Sequence, residues 1–333
     1  MTVNVVVGGF FGDEGKGKIV SYIAYKDKPD IVVRGGVGPN AGHTVCYKGR
    51  KFKLRQIPSG FVNESSRLLI GPGVLINPKI FLREVNELSL TPERIGIDFQ
   101  AGIIEEKHIE RDKKPDLQGR LGTTASGCGP ANADRALRTL KIAKDVEELR
   151  PYLTDVPQEL HDAIDDGKHI LIEGTQGTFL SLWHGTYPYV TSKDVTASAI
   201  LSDVGIGPLD VDNVIIVFKA YVTRVGPGPL PNELSEEEIK RRGWVEIATV
   251  TGRVRRAAPF NFELAMRAVR LNSANIIALT RLDVVYPEVS GVRDYDKLSD
   301  RAKNFIEEIE KKVGVKVKII STGPDILDTI DLR

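Results

Sequence analysis

The 333-residue sequence is poor in sulfur and in histidine, with two cysteines, two methionines and five histidines. Cys46 and Cys128 lie far apart and outside any metal-ligand spacing. That excludes a cysteine-built metal site and suits a reducing cytoplasm. No apolar run reaches the ~18 residues that a membrane-spanning helix requires, so no membrane association is expected. The first strand begins at once, with no basic region or cleavage site ahead of it. An excess of either charge is also missing: 46 Lys and Arg face 45 Asp and Glu, a net charge of +1. General polyanion affinity is therefore not implied, and nucleic acid is not an expected partner. Internal repeats and low-complexity segments are absent. The Pro/Gly-rich stretches 205–208 and 224–231 read as loops rather than as a domain linker. A single domain spanning 1–333 is expected.

What the sequence does contain is a series of short β-branched runs, each closed by glycine or polar residues. They read VNVVVGGFFG, DIVVRGG, RLLIGPG, HILIEGTQG, NVIIVFKAY, NIIALTRLD and VKIISTG. Near-continuous apolar runs mark strands buried on both faces of a parallel sheet. Helical periodicity occupies 77–89, 261–273 and 300–313 between them. The alternation predicts an α/β fold with a mostly parallel central sheet flanked by helices. Ligands of such sheets bind beyond the carboxyl ends of the strands. There the words GDEGKGK, EGTQGT, TRLD and STG are expected to meet in one cleft.

The segment VVVGGFFGDEGKGKIVSY (5–22) passes from strand to helix through a glycine-rich turn. It nearly matches the phosphate-loop pattern G-x-x-x-x-G-K-[ST], with Gly12, Gly17 and Lys18 in place. Ile19 stands where a hydroxyl normally meets magnesium, and Asp13 brings a carboxylate to a loop built for anions. Backbone N–H groups at a helix N-terminus bind phosphate. Gly12, Gly15 and Gly17 allow close approach, while Lys16 and Lys18 add positive charge. A carboxylate there is repulsive unless a metal ion or a removable substrate proton compensates. Asp13 can serve in both ways, as a magnesium ligand and as a base. The simpler alternative is a helix-capping aspartate. A second glycine-rich element, RGGVGPNAGHT (34–44), gathers Asn40, Gly42, His43 and Thr44, with His43 a candidate general acid.

The words GDEGKGK, NAGHT, GTT, GTQGT, HGTYPYVTS, TGRVRRA, LTRLDV and STGPD, in this order, resemble the adenylosuccinate synthetase family. The resemblance covers nearly the whole chain. It implies a phosphate-loop-type nucleotide site with long substrate loops. It also implies a GTP- and Mg2+-dependent ligase that joins L-aspartate to inosine monophosphate (IMP) through a 6-phosphoryl intermediate, on the route to AMP. Asp13 is then the base and a metal ligand, Gly42 offers its carbonyl to the metal, and His43 is the acid.

The resemblance assigns GTP to Gly12, Asp13, Glu14, Gly15, Lys16, Gly17 and Lys18, with Gly42, His43, Thr44 and Arg255. The guanine pocket is Arg281, Leu282 and Asp283, closed by Ser321, Thr322 and Gly323. An aspartate at 283 can accept both N1–H and N2–H of guanine. For IMP it implies Asp13, Glu14, Gly15 and Lys16 with Asn40, Ala41, Gly42 and His43. To these it adds Thr124, Gln176, Thr191 and Arg253. Arg138 matches an arginine inserted by the neighbouring subunit, so a homodimer with composite sites is implied. Substrate aspartate falls to the loop Thr249, Val250, Thr251, Gly252, Arg253, Val254 and Arg255, whose arginine forks match carboxylates. Val250 stands where several relatives carry a further threonine. Two other readings are a GTPase switch and a nucleotide-binding module without catalysis. Ile19 breaks the Lys-[Ser/Thr] ending of the first, and the second has no need of Asp13 and His43.

Overall fold

The computed structural model describes residues 2–247 and 252–333. The expected apolar runs all become strands of one sheet. In chain order its strands are β1 (Thr2–Gly8), β2 (Ile31–Arg34), β3 (Arg67–Ile70), β4 (Ile95–Asp98) and β5 (Leu153–Thr154). They continue as β6 (His169–Glu173), β7 (Asn213–Lys219), β8 (Ile276–Thr280), β9 (Val317–Ser321) and β10 (Thr329–Asp331). The ten strands lie in the order β10-β9-β8-β7-β1-β6-β2-β3-β4-β5. Every neighbouring pair is parallel except β9 with β10. The mostly parallel sheet read from the sequence is the one found.

Alternation within β1 shows why its run is mostly apolar. Val3, Val5 and Val7 join the core on one face of the sheet, whereas Val6 joins Val32, Leu68 and Ile70 on the other. Both faces are covered, so both register positions favour apolar residues, and Asn4 near the strand start accepts from Asn213 Nδ2. The periodic segments fold as helices Pro78–Glu87, Phe262–Asn272 and Asp300–Val313. Each begins at a side-chain cap: Asn77 accepts from Ile80 N–H, Asn261 from Leu264 N–H and Ser299 from Ala302 N–H. No helix among the described residues is long and apolar enough to cross a membrane.

Strands β4, β5 and β10 were not expected. β5 has two residues and β10 three, too short for periodicity to register. β4 ends in Asp98, a buried acid whose carboxylate caps the next elements by accepting from Gln100 and Val156 N–H. Helices Val156–Asp165 and Ala197–Val204 were also unassigned. Two antiparallel ribbons stand off the sheet: His43–Tyr47 with Arg50–Leu54, and Tyr221–Arg224 with Arg256–Pro259. They carry His43 and the arginine loop over the carboxyl edge of the strands.

Candidate active site

Above that edge lies a cavity of about 1300 Å³ whose walls include Asp13, His43, Gln176, Arg255, Arg281 and Ser321. The cleft expected from the strand-ending words therefore exists. After β1 the chain turns through Gly12 (φ 86°), Asp13 (φ 61°) and Gly15 (φ 90°) into helix α1 (Lys16–Asp27). Gly15 is the cap residue of α1 and no side chain caps the helix. The capping role considered for Asp13 is therefore not the one it plays. Its Oδ1 instead lies 3.0 Å from Arg255 Nη2.

Glu14 shapes the loop from within. Its buried carboxylate accepts from Phe10 N–H at 3.0 Å, Gly12 N–H at 2.8 Å and Lys16 Nζ at 2.8 Å. Lys16 also donates to the Gln176 carbonyl, which ties the loop to the turn after β6. Lys18 donates to Ser321 Oγ at 2.7 Å and to the Asp328 carbonyl at 2.8 Å. Burial brings its ammonium down to about 8 against the pull of Asp328, Asp283 and Asp325. Both lysine head groups thus contact protein oxygens. The polarity directed at a ligand comes from the N-terminus of α1 and its amides.

His43 is buried, and its Nδ1 is hydrogen-bonded to the Glu173 carboxylate at the end of β6. Ser59 donates to the same carboxylate through N–H and Oγ, both at 2.6 Å. Arg34 Nη1 lies 4.0 Å away. Burial pushes Glu173 up, but His43, Arg34 and Ser59 outweigh it and hold the acid at about 2. Burial also lowers the His43 imidazole, against the pull of Glu173. An ionised Glu173 keeps a proton on Nδ1, so a ring that donates from Nε2 as well is an imidazolium.

Asn40, Gln176 and Thr191 come together as expected: Asn40 Nδ2 donates to Thr191 Oγ1 at 3.3 Å, and Gln176 Nε2 to Asn40 Oδ1 at 3.1 Å. Thr124 lies on the cavity wall and donates to Ser126. Arg253 donates to the Gly122 carbonyl at 2.9 Å, linking the arginine loop to the segment that carries Thr124. Ala41, Gly42 and Thr44 also line the cavity. At its other end Arg281 (φ 59°) opens the short helix Leu282–Val285. Asp283 Oδ1 is a buried atom with no hydrogen-bond partner among the described residues. Burial raises the Asp283 carboxyl above its usual value, opposed by Arg281 and Lys18.

Other assigned residues stand apart. The Leu282 side chain is wholly inside the core, so only its backbone can face a ligand. Thr322 is buried and donates to the Val292 carbonyl. Arg138 is exposed at the end of helix Cys128–Leu137 and is not part of its own chain's cavity wall. Gly252 and Val254 are exposed beside the loop. Thr249, Val250 and Thr251 lie outside the described residues. Buried Cys128, its thiol pushed up to about 12 by burial, is unreactive packing.

Sequence reasoning passed over Arg34, Glu173, Lys219, Tyr221 and Glu246. Glu246 accepts from Lys219 Nζ at 3.0 Å and from Arg255 and Tyr221. Burial pushes it up, but Lys219, Arg255 and Arg281 hold it at about 2. A signal was present for three of these residues. Arg34, Glu173 and Lys219 are each the charged last residue of a mostly apolar strand, at the edge where such sheets bind ligands.

The family model described as adenylosuccinate synthetase matches residues 5–146 and 140–287. The adenylosuccinate synthetase of Thermococcus onnurineus is 57% identical over 332 residues, covering 99% of this chain and 98% of that one. That of Methanocaldococcus jannaschii is 57% identical over 336 residues, covering 100% and 97%. The fully ligated adenylosuccinate synthetase of Plasmodium falciparum superposes with a TM-score of 0.90 at 25% identity, over 100% of both chains. A cyanophage S-2L succinoaminodeoxyadenylate synthetase shares the fold, with a TM-score of 0.81 at 24% identity over 99% and 95%.

Glu173 generates a prediction of its own. Its value in the fold lies below the usual 4.5, so its stabilising contribution is complete above pH 4.5 and fades as pH falls toward about 2. Glu173→Gln should flatten the acid limb of Tm against pH across that interval. It should also lower kcat by a factor on the order of 10² if His43 acts as an acid. An unchanged acid limb with unchanged kcat would contradict the assignment.

Proposed function

The chain belongs to the adenylosuccinate synthetase family, and from that premise we propose how its residues divide the work of a GTP-using ligase of purine biosynthesis. The substrates are IMP, L-aspartate and GTP. The observation that carries the reading is Asp13 itself: a carboxylate on the phosphate loop, free of capping duty and facing a cavity it shares with His43.

The 6-oxygen of hypoxanthine is a poor leaving group and must be activated before an amine can replace it. Asp13 takes the N1 proton, and the negative charge moves to the 6-oxygen. That oxygen attacks the γ-phosphorus of GTP and GDP leaves. His43, oriented by Glu173, donates toward the oxygen and the phosphoryl group in transit. The amino nitrogen of aspartate then attacks C6, phosphate departs and the nitrogen loses a proton. A placed acid or base supplies ~10²–10⁴-fold each. Positioning and fixed dipoles supply much of the remainder.

No cluster of three His, Cys, Asp or Glu among the described residues makes a metal cage. One carboxylate and one carbonyl, Asp13 and Gly42, are what Mg2+ commonly takes from a protein when nucleotide phosphates complete its shell. When bound, the ion neutralises phosphate charge. Asp283, with its partnerless buried oxygen, reads the N1–H and N2–H edge of guanine, while Arg281 packs on the base. Asn40, Gln176, Thr191 and Thr124 receive IMP. Arg253 and the loop 249–255 receive aspartate, and Arg255 approaches GTP.

Arg138 lies exposed and away from its own cavity, which supports its insertion into a partner's IMP site in a homodimer. Both cysteines are free, which supports a cytoplasmic setting. Residues from Phe11 to Pro324 line the cavity, so we take the chain as one functional unit.

Asp13→Asn should abolish turnover while GTP still binds by calorimetry, because the loop amides remain; near-normal rates would remove Asp13 from its role. Asp283→Asn should shift preference from GTP toward the xanthine nucleotide by roughly 10²-fold or more, because an amide matches the exchanged donor and acceptor. A variant that still prefers GTP disproves the guanine assignment. Sedimentation should give twice the chain's 36.6 kDa. An active monomer would rule out the composite site.

A further inference from the structure

Glu246 belongs to a segment that lines the cavity with Gly243, Val245 and Ile247 and is pinned from below. Trp244, buried, stacks on Tyr221 with ring centroids 4.5 Å apart and planes 21° apart. Ile247 then bridges Val254 in antiparallel fashion, and the Glu246 carbonyl accepts from Arg255 N–H at 2.9 Å. Glu246 and Arg255 are therefore bound twice, by backbone and by side chain. The same carboxylate, its side chain 10% exposed, also takes Lys219 at 3.0 Å and lies 3.7 Å from Arg281 Nε.

The arrangement constrains where the Arg255 guanidinium can point. Nη1 is held by Glu246, Nη2 reaches Asp13 Oδ1 at 3.0 Å, and Nε is buried with no partner among the described residues. An arginine beside a lone carboxylate closes on both of its oxygens as a fork. With a second carboxylate on its far side, the guanidinium is divided between the two, Nη1 on Glu246 and Nη2 on Asp13. We propose that Glu246 is a positioning residue for the ligase reaction: it holds Arg255 at the edge of the phosphate loop and keeps the Asp13 carboxylate from being closed over. Lys219, drawn to the same carboxylate and to Thr223 Oγ1 at 2.7 Å, is kept off Asp13 by the same means. The inference rests on the reading that Arg255 approaches GTP.

A double-mutant cycle tests it. Glu246→Gln keeps the shape and removes the charge. Alone it should lower kcat/KM for GTP about 10-fold or more, whereas in an Arg255→Met background it should change the value by less than about 2-fold. Equal losses in both backgrounds would overturn the proposal, since a purely structural acid has the same effect whichever residue occupies 255. Glu246→Asp keeps the charge on a shorter arm and should recover part of the loss. It replaces Gln in the cycle if thermal melts show that the Gln variant does not fold. Arg255→Met alone separates the two claims. If it leaves kcat/KM for GTP unchanged, the placement of Arg255 at GTP fails. If it lowers the value and Glu246 proves additive, only the inference fails.

Discussion

Charge compensation at the carboxyl edge of the sheet is the constraint on which the site depends. A loop of the phosphate-binding pattern is expected to be electropositive, yet this one carries Asp13 and Glu14 in succession. Glu14 is neutralised inside the loop by backbone N–H groups and Lys16. Asp13 is met from above by Arg255, the residue just before the ribbon strand Arg256–Pro259. An unpaired carboxylate in such a place would take up a proton or leave for solvent. Arg255, reaching across the cleft, offsets the Asp13 charge.

The same logic recurs one layer down. Arg34, Glu173 and Lys219 end strands β2, β6 and β7, where the apolar sandwich gives way to the cavity. Each is buried, and each is matched with an opposite charge: Arg34 with Glu173, and Lys219 with Glu246. These pairs cost desolvation and are weak sources of stability in themselves. Their contribution is orientation. Glu173 orients His43, and Glu246 orients Arg255, so each cavity-facing group is aimed by a carboxylate partner. Preorganised groups of this kind lower a barrier because they need not reorganise as charge moves.

Much of this architecture was legible in the chain, and the exceptions follow a pattern. Strands buried on both faces carry near-continuous apolar runs, so β1, β2, β3, β6, β7, β8 and β9 announced themselves. Buried β4, by contrast, is a short IGID broken by a glycine and an acid. Edge strands β5 and β10 are short and lie where one side lacks a neighbour, so they left no run to detect. The ribbon Tyr221–Arg224 with Arg256–Pro259 pairs segments that are distant in sequence, which local patterning cannot register. Asp13 was conspicuous because a carboxylate conflicts with its loop. Glu246 conflicts with nothing nearby in sequence and gains its meaning only from Lys219, Tyr221, Arg255 and Arg281.

By itself, then, the order of residues determined the sheet, the phosphate-type turn after β1 and the polar words that gather above it. Those features follow from short-range physics: periodic burial, glycine at left-handed positions, and amides exposed at the start of a helix. The partners of the charges were decided by the tertiary structure alone. Coulomb attraction and desolvation act through space, and β1, β6, β7 and the arginine ribbon come together only once the sheet has formed.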